Sequence, residues 1–123
     1  MTIKGLITDF LEYCEVEKGH SQLTIRNYDH YLAKFLEFTG DISSKKINLE
    51  LVRKYRLYLN RLTDEKGNSL KKVTQNYYVI ALRSFLKYLA KRDIKSLVAE
   101  KVELADTESR SLIFLEIDEI ERQ

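Results

Sequence analysis

Residues 77–90 read Tyr77-Tyr78-Val79-Ile80-Ala81-Leu82-Arg83-Ser84-Phe85-Leu86-Lys87-Tyr88-Leu89-Ala90, and eleven of the fourteen are apolar or aromatic. A helix that apolar around its circumference is surrounded by other elements. The spacing places it within a fourth helix over residues 70–91, and three helices upstream supply the surroundings. The first covers 3–17, with Leu6, Phe10, Leu11 and Cys14 at three- and four-residue intervals, and Gly19 stops it. Ser21 is a good N-cap for the second, whose stripe is Ile25, Tyr28, Leu32, Phe35 and Leu36 and whose end falls near Gly40. Asn48 caps the third, Ile47 can pack on Val52 as a hydrophobic staple, and Val52, Tyr55, Leu59 and Leu62 form its stripe. Residues 63–69, Thr-Asp-Glu-Lys-Gly-Asn-Ser, are a polar loop ahead of the fourth helix. The expected fold is therefore all-α, a four-helix bundle.

Beyond residue 94 the pattern weakens. Residues 96–104 read as a short helix, 105–110 as a polar linker, 112–115 as extended and 116–123 as a helix that stops after its first turns. The expected division is a helical domain over 1–104 followed by a linker, 105–123, that leads into a domain missing from the chain.

Composition supports helices and excludes several classes. The 123 residues contain no proline and four glycines, with 44% apolar and 33% charged residues, a globular mixture rather than a disordered one. The longest apolar run, 77–82, is far too short to cross a membrane, and the N-terminus has no export signal. The expected location is cytoplasmic, without membrane association. A single cysteine forms no internal disulfide and holds no structural metal alone. Net charge is +2, but its distribution is uneven. Residues 71–95 carry seven basic groups against Asp93 alone, whereas 97–123 carry eight acids against three bases. A basic segment beside a balanced body suggests a face that meets an anion.

No catalytic constellation is visible. A Gly-rich phosphate loop, a His-Glu-x-x-His box and a Cys-x-x-Cys pair are all missing from the sequence. His20 and His30 are expected to be solvated, Cys14 to be a buried structural thiol, and neither metal nor cofactor is expected.

The informative chemistry lies at the start of the fourth helix. Lys71 and Lys72 fall where backbone N–H groups already present positive charge, so two cations there oppose the helix dipole by a few tenths of a kcal/mol each (~0.3–1). Acids are the usual choice, and the exception points to a bound anion such as phosphate. Thr74, Gln75 and Asn76 follow, and all three can bond phosphates or base edges. The second helix repeats the theme with Thr24, Arg26, Asn27, His30 and Lys34 away from its apolar stripe. Tyr28, Tyr55, Tyr77, Tyr78 and Tyr88 lie on or beside apolar stripes, so packing is their expected role. Another class of reading stays open at this point: a helical module that docks a partner protein.

Residues 19–36 place Ser21, Thr24, Tyr28, Leu32 and Phe35 in a pattern that resembles a segment of the tyrosine recombinases and phage integrases of Xer type. Residues 73–89 are similar to a later helix of the same family through Thr74, Asn76, Leu82, Arg83, Ser84, Phe85, Tyr88 and Leu89. Residues 115–120, Leu-Glu-Ile-Asp-Glu-Ile, resemble the opening of that family's catalytic domain. One departure is the absence of the Asn-Pro pair common after the last helix, where this chain has Asp93-Ile94-Lys95.

The resemblance implies the N-terminal core-binding domain, a SAM-like orthogonal helical bundle that clamps one face of double-stranded DNA while the catalytic domain closes from the other. It implies a tetrameric parent on paired DNA sites, a monomeric isolated domain and no metal cofactor. The family's attack on DNA by a tyrosine, giving a 3′-phosphotyrosine link, belongs to the catalytic domain, so this chain is expected to bind DNA without cutting it. By position, the implied DNA contacts are Thr24, Arg26, Asn27 and Lys34 on the second helix, and Lys71, Lys72, Thr74, Gln75, Asn76 and Tyr78 on the fourth. Arg83 has two open roles, a phosphate contact or a brace against acids of the first helix such as Glu12. Asn27, Gln75 and Asn76 are the candidates for base readout, and the cations position the domain on phosphates.

Overall fold

The structure is a computed structural model and describes residues 2–105. They form four helices, α1 (Ile3–Val16), α2 (Gln22–Thr39), α3 (Leu49–Arg61) and α4 (Lys72–Lys91), with single 3₁₀ turns at Ser44–Lys46 and Ala99–Lys101. Among the described residues there is no strand, only isolated bridges between Thr2 and Ser43 and between Thr63 and Ser69.

The helix starts follow their local chemistry. Ser21 Oγ accepts the Thr24 N–H at 3.1 Å, and Asn48 Oδ1 accepts that of Leu51 at 2.8 Å. Ile47 and Val52, on either side of the Asn48 cap, are both buried in the core, as a hydrophobic staple requires. Gly40, at φ 78°, ends α2 in the left-handed region where a Cβ is strained. Thr2 makes no cap bond from its side chain. The loop after α2 takes over that role: Asp41 Oδ1 accepts the Lys4 N–H at 2.9 Å, and the Ile42 carbonyl accepts that of Ile3 at 2.8 Å. An acid at this place also suits the helix dipole.

α4 is the central element, with eleven of its 20 residues buried. Phe10 of α1 sits at the junction, its ring 5.5 Å from Tyr28, 5.8 Å from Phe85 and 5.6 Å from Tyr88, all between centroids. Phe35 meets Tyr55 edge-on at 4.9 Å and joins α2 to α3. Spacings of this kind are those aromatic pairs prefer. Cys14 is buried, as its place on the stripe suggests.

Three details differ from the sequence reading. α4 starts at Lys72 rather than at residue 70, because Lys71 is extended (φ −69°, ψ 154°) and serves as the N-cap. The expected helix over 96–104 is reduced to the turn Ala99–Lys101, whose neighbours Ala99 and Val102 plug into the core. At the far end of α4, Asp93 takes the left-handed conformation (φ 59°) that glycine usually supplies. Its N–H reaches the Ala90 carbonyl at 3.0 Å, and that of Ile94 reaches Leu89 at 2.9 Å, a Schellman closure. Aspartate is among the few residues that tolerate this region, so no Asn-Pro pair is needed to turn the chain.

The chain then runs back over the bundle. Ser44 Oγ donates to the Lys95 carbonyl at 2.8 Å, and the Arg56 guanidinium donates to the carbonyl of Glu103. The linker beyond Ala105, the extended stretch 112–115 and the helix 116–123 lie outside the described residues.

Candidate nucleic-acid interface

The start of α4 is built from loop chemistry. Asp64 Oδ1 accepts the N–H groups of Lys66 at 2.8 Å and Asn68 at 2.9 Å, which closes the 63–69 loop on itself. These donors hold the Asp64 carboxyl below its usual range, the Asn68 N–H most of all. From α4, Gln75 Nε2 reaches back to the Leu70 carbonyl at 3.0 Å and to Asn60 Oδ1 at 3.1 Å, and Lys72 Nζ lies 3.4 Å from the same Asn60 oxygen. The lysines thus stand on a helix start clamped to the end of α3. No acid occupies its first turn, and the side chain of Lys71 makes no cap bond.

α2 and α4 share a seam marked by side chains. Tyr28 Oη lies 3.5 Å from Ser84 Oγ, and Tyr78 Oη lies 3.4 Å from His30 Nε2. Ascending residues of α2 therefore meet descending residues of α4. Tyr31 packs on Tyr78 at 4.8 Å, and burial chiefly raises the Tyr31 hydroxyl above its ordinary pKa. His30 is exposed, as expected, with its ring 5.9 Å from Tyr78, whereas His20 is half-buried with its ring 6.0 Å from Tyr28.

The sequence candidates fall into three groups. Lys71 and Lys72 are exposed at the head of α4, with Thr74 half-buried beside them. Arg26 and Asn27 are exposed on α2, next to Thr24, whose hydroxyl accepts from Ser21 Oγ at 3.0 Å. Lys34 pairs with Glu37 at 3.2 Å, and that carboxylate lifts its ammonium above the ordinary lysine range. The third group points inward. Asn76 is 1% exposed, and its amide clasps the backbone of Ala105, donating to the carbonyl at 3.0 Å and accepting the N–H at 2.9 Å. Gln75 is buried under its bonds to Asn60 and Leu70, and Tyr78 is buried in the seam.

The exposed groups do not form one cluster. From Lys72 to Ser84, where α2 crosses near Tyr28, is about 18 Å along the axis of α4. Two residues the sequence reading left out occupy this line. Lys87 and Lys91 are exposed, one and two turns past half-buried Arg83, and buried Asn76 and Ile80 stand between this group and Lys72 on the same side of α4. Their four-residue spacing behind Arg83 was the available signal. None of Lys71, Lys72, Lys87 and Lys91 forms an ion pair among the described residues, where the pairs are Lys34 with Glu37 and Arg53 with Glu50. No three His, Cys, Asp or Glu side chains converge as metal ligands there, and no described helix is long and apolar enough to cross a membrane.

Comparison with known proteins gives a consistent result. The family described as phage integrase, N-terminal SAM-like domain, matches residues 7–93. A tyrosine recombinase XerC from Anoxybacillus flavithermus is 32% identical over 87 residues, which cover 71% of this chain and 28% of that protein. The tyrosine recombinase XerC of Bacillus subtilis is 30% identical over 120 residues, covering 97% of this chain and 38% of the relative. That of Bacillus pumilus is 30% identical over 89 residues. The chain thus spans roughly a third of the length of these curated relatives. No solved structure gives a significant match.

Proposed function

Because this chain belongs to the phage integrase N-terminal SAM-like domain family, we propose that it is the DNA-binding domain of a site-specific tyrosine recombinase. The observation that carries the reading is the basic surface at the two ends of α4. Lys71 and Lys72 sit exposed at a start where anions are favoured, and Lys87 and Lys91 are exposed beside half-buried Arg83 in its last turns. The relatives named as tyrosine recombinases supply the class of reaction.

In this proposal the edge of α4 and the outer side of α2 lie along the backbone of duplex DNA. Lys71, Lys72, Arg83, Lys87 and Lys91 meet phosphates, as do Arg26 and Thr24. From Lys72 to Lys91 is about 28 Å along the helix axis, somewhat less than one helical turn of DNA. Asn27 is the candidate for base readout. Gln75, Asn76 and Tyr78 work beneath the surface: they fix the helix start, the seam and the path of the following chain. Lys34 gives up part of its attraction for phosphate to Glu37. The chain contributes binding and no bond-breaking step, which the proposal assigns to a catalytic domain elsewhere in the parent recombinase.

The test is fluorescence anisotropy of a labelled duplex of about 30 base pairs at several salt concentrations, where neutralising four to six phosphates gives a slope of about −4 to −5. Lys72→Glu is expected to weaken binding several-fold with helicity intact. Unchanged affinity in that variant overturns the assigned face, and no binding at low salt overturns DNA binding by this domain alone.

A further inference from the structure

We propose that the recess between the end of α1, the loop before α2 and the second half of α4 binds a nucleoside phosphate. It encloses about 400 Å³, a volume in the range of small-ligand sites. Its walls are aromatic: Phe10, Tyr13, Tyr28 and Tyr88 all line it. Tyr13 and Tyr88 lie 4.9 Å apart, and Phe10 touches both Tyr28 and Tyr88. Its charged lining is cationic, from Lys18, Lys87 and Lys91, with His20 beside them, and no carboxylate lines it.

Two features define the ligand. Lys18, Lys87 and Lys91 converge without an ion pair among the described residues, although like charges repel and each has acids within the same bundle to choose from. Asp9, Glu12 and Glu17 line a neighbouring recess, beyond Tyr13 and Tyr88, which Lys91 also borders. Lys91 Nζ lies over the Tyr13 ring, 5.8 Å from its centroid, so a cation and an aromatic ring share one wall and an anion bound there draws the ammonium off the ring. A ligand that satisfies both carries a multiply charged anion attached to a flat ring. The Ser84 and Tyr28 hydroxyls, 3.5 Å apart in the same wall, add donors and acceptors for a sugar or a ring edge. A nucleoside phosphate has this combination, either as a free mononucleotide or as a unit of a DNA strand. The recess shares Lys87 and Lys91 with the surface assigned to DNA and adds Tyr13 of α1 and Lys18 just after it, so the inference rests in part on the DNA-binding reading.

The experiment is a titration of the ¹⁵N-labelled chain with dAMP, followed by backbone amide shifts, with inorganic phosphate in parallel. The expected result is saturable binding at a Kd of about 1 mM or tighter, with shifts at Tyr13, Ser84 and Tyr88, and at least ~10-fold weaker binding of phosphate alone. The double variant Lys87→Gln/Lys91→Gln is expected to weaken dAMP by about tenfold, or 1.4 kcal/mol. Tyr13→Leu is expected to weaken dAMP and leave phosphate unchanged. Lys72→Glu, which tests the DNA-facing edge, leaves dAMP binding untouched, so the two proposals fail separately. Absence of saturation, equal binding of phosphate, or shifts confined to residues 71–74 each overturn the inference. Unlabelled duplex added without dAMP then identifies the source: shifts at Tyr13 and Ser84 that match those with dAMP assign the site to a nucleotide of DNA, and their absence assigns it to a free nucleotide.

Discussion

Asn76→Ala tests whether the chain leaving the bundle is held by one side chain. Asn76 is 1% exposed and satisfies both backbone groups of Ala105, at 2.9 and 3.0 Å. If the segment 94–105 stays docked in the variant, the N–H and carbonyl of half-buried Ala105 lose their partners. A fully buried loss costs roughly 1–3 kcal/mol and partial exposure lowers it, so the docked form is destabilised by about 2–3 kcal/mol. If the segment lifts off instead, water satisfies the groups and the cost becomes the lost burial of Val102, which is 2% exposed, and of Ala99. Exposing a valine costs about 1.5–3 kcal/mol. The molecule takes the cheaper route, so the expected loss is about 2–3 kcal/mol. With m near 1–3 kcal/mol/M, the urea midpoint falls by about 1–2 M. Amide exchange identifies the route, since Val102, whose N–H bonds to the Ala99 carbonyl, loses protection only if the segment lifts. Asn76→Asp keeps the acceptor for the Ala105 N–H but sets a carboxylate against the Ala105 carbonyl, so this variant is expected to gain stability as pH falls and the acid protonates. A midpoint shift worth less than about 0.5 kcal/mol, with Val102 still protected, refutes the clasp as an energetic feature.

Burial, helped by nearby Tyr78 and Tyr58, raises the Tyr55 hydroxyl far above its ordinary pKa, and that hydroxyl has no hydrogen-bond partner among the described residues. Tyr55→Phe removes an unsatisfied polar atom and is expected to keep or raise the Tm; a fall of several degrees counts against the assignment. The folded-state pKa of Tyr55 is raised, so its contribution is complete below about pH 10 and is lost as pH climbs above that value, where the unfolded state ionises first. Urea melts at rising pH should therefore show stability falling on the alkaline side, less steeply in Tyr55→Phe. Asn48→Ala removes the bond to the Leu51 N–H and should cost about 1 kcal/mol in a thermal or urea melt, whereas Asn48→Ser should restore most of it.

The parts of this fold that were legible in the sequence are those decided within one or two turns. Ser21 and Asn48 cap helices with donors three residues away, and the stripes of α1, α2 and α3 recur at helical spacing. Lys71 misled by one residue because it caps α4 with backbone conformation alone; the bonds that fix that start come from Gln75 and Asn60, the latter on another helix. Asp93 shows the same limit. Its left-handed turn is a Schellman closure made by a residue that only sometimes adopts one, and no neighbouring glycine or proline announces it. Asn76 is the clearest case. A polar side chain in the first turns of a basic helix reads as surface, but its partner is a backbone 29 residues later, and no local pattern encodes that pairing.

The same reasoning explains why the interface was harder to read than the fold. With eleven of its 20 residues buried, α4 leaves a narrow edge for solvent, and that edge alone decides which cations can act together. Counting charges in the segment found an excess of bases without showing that buried Asn76 and Ile80 separate Lys72 from the group of Arg83, Lys87 and Lys91. Once the core positions are removed, the remaining residues are nearly dictated by geometry. A substitution on the edge therefore changes binding with little effect on folding, whereas Asn76 and Tyr78 alter the shape of the face by altering what lies beneath it. Lys72→Glu and Asn76→Ala thus separate two variables that the sequence presents as neighbours: charge offered to a ligand, and the frame that holds the charge in place.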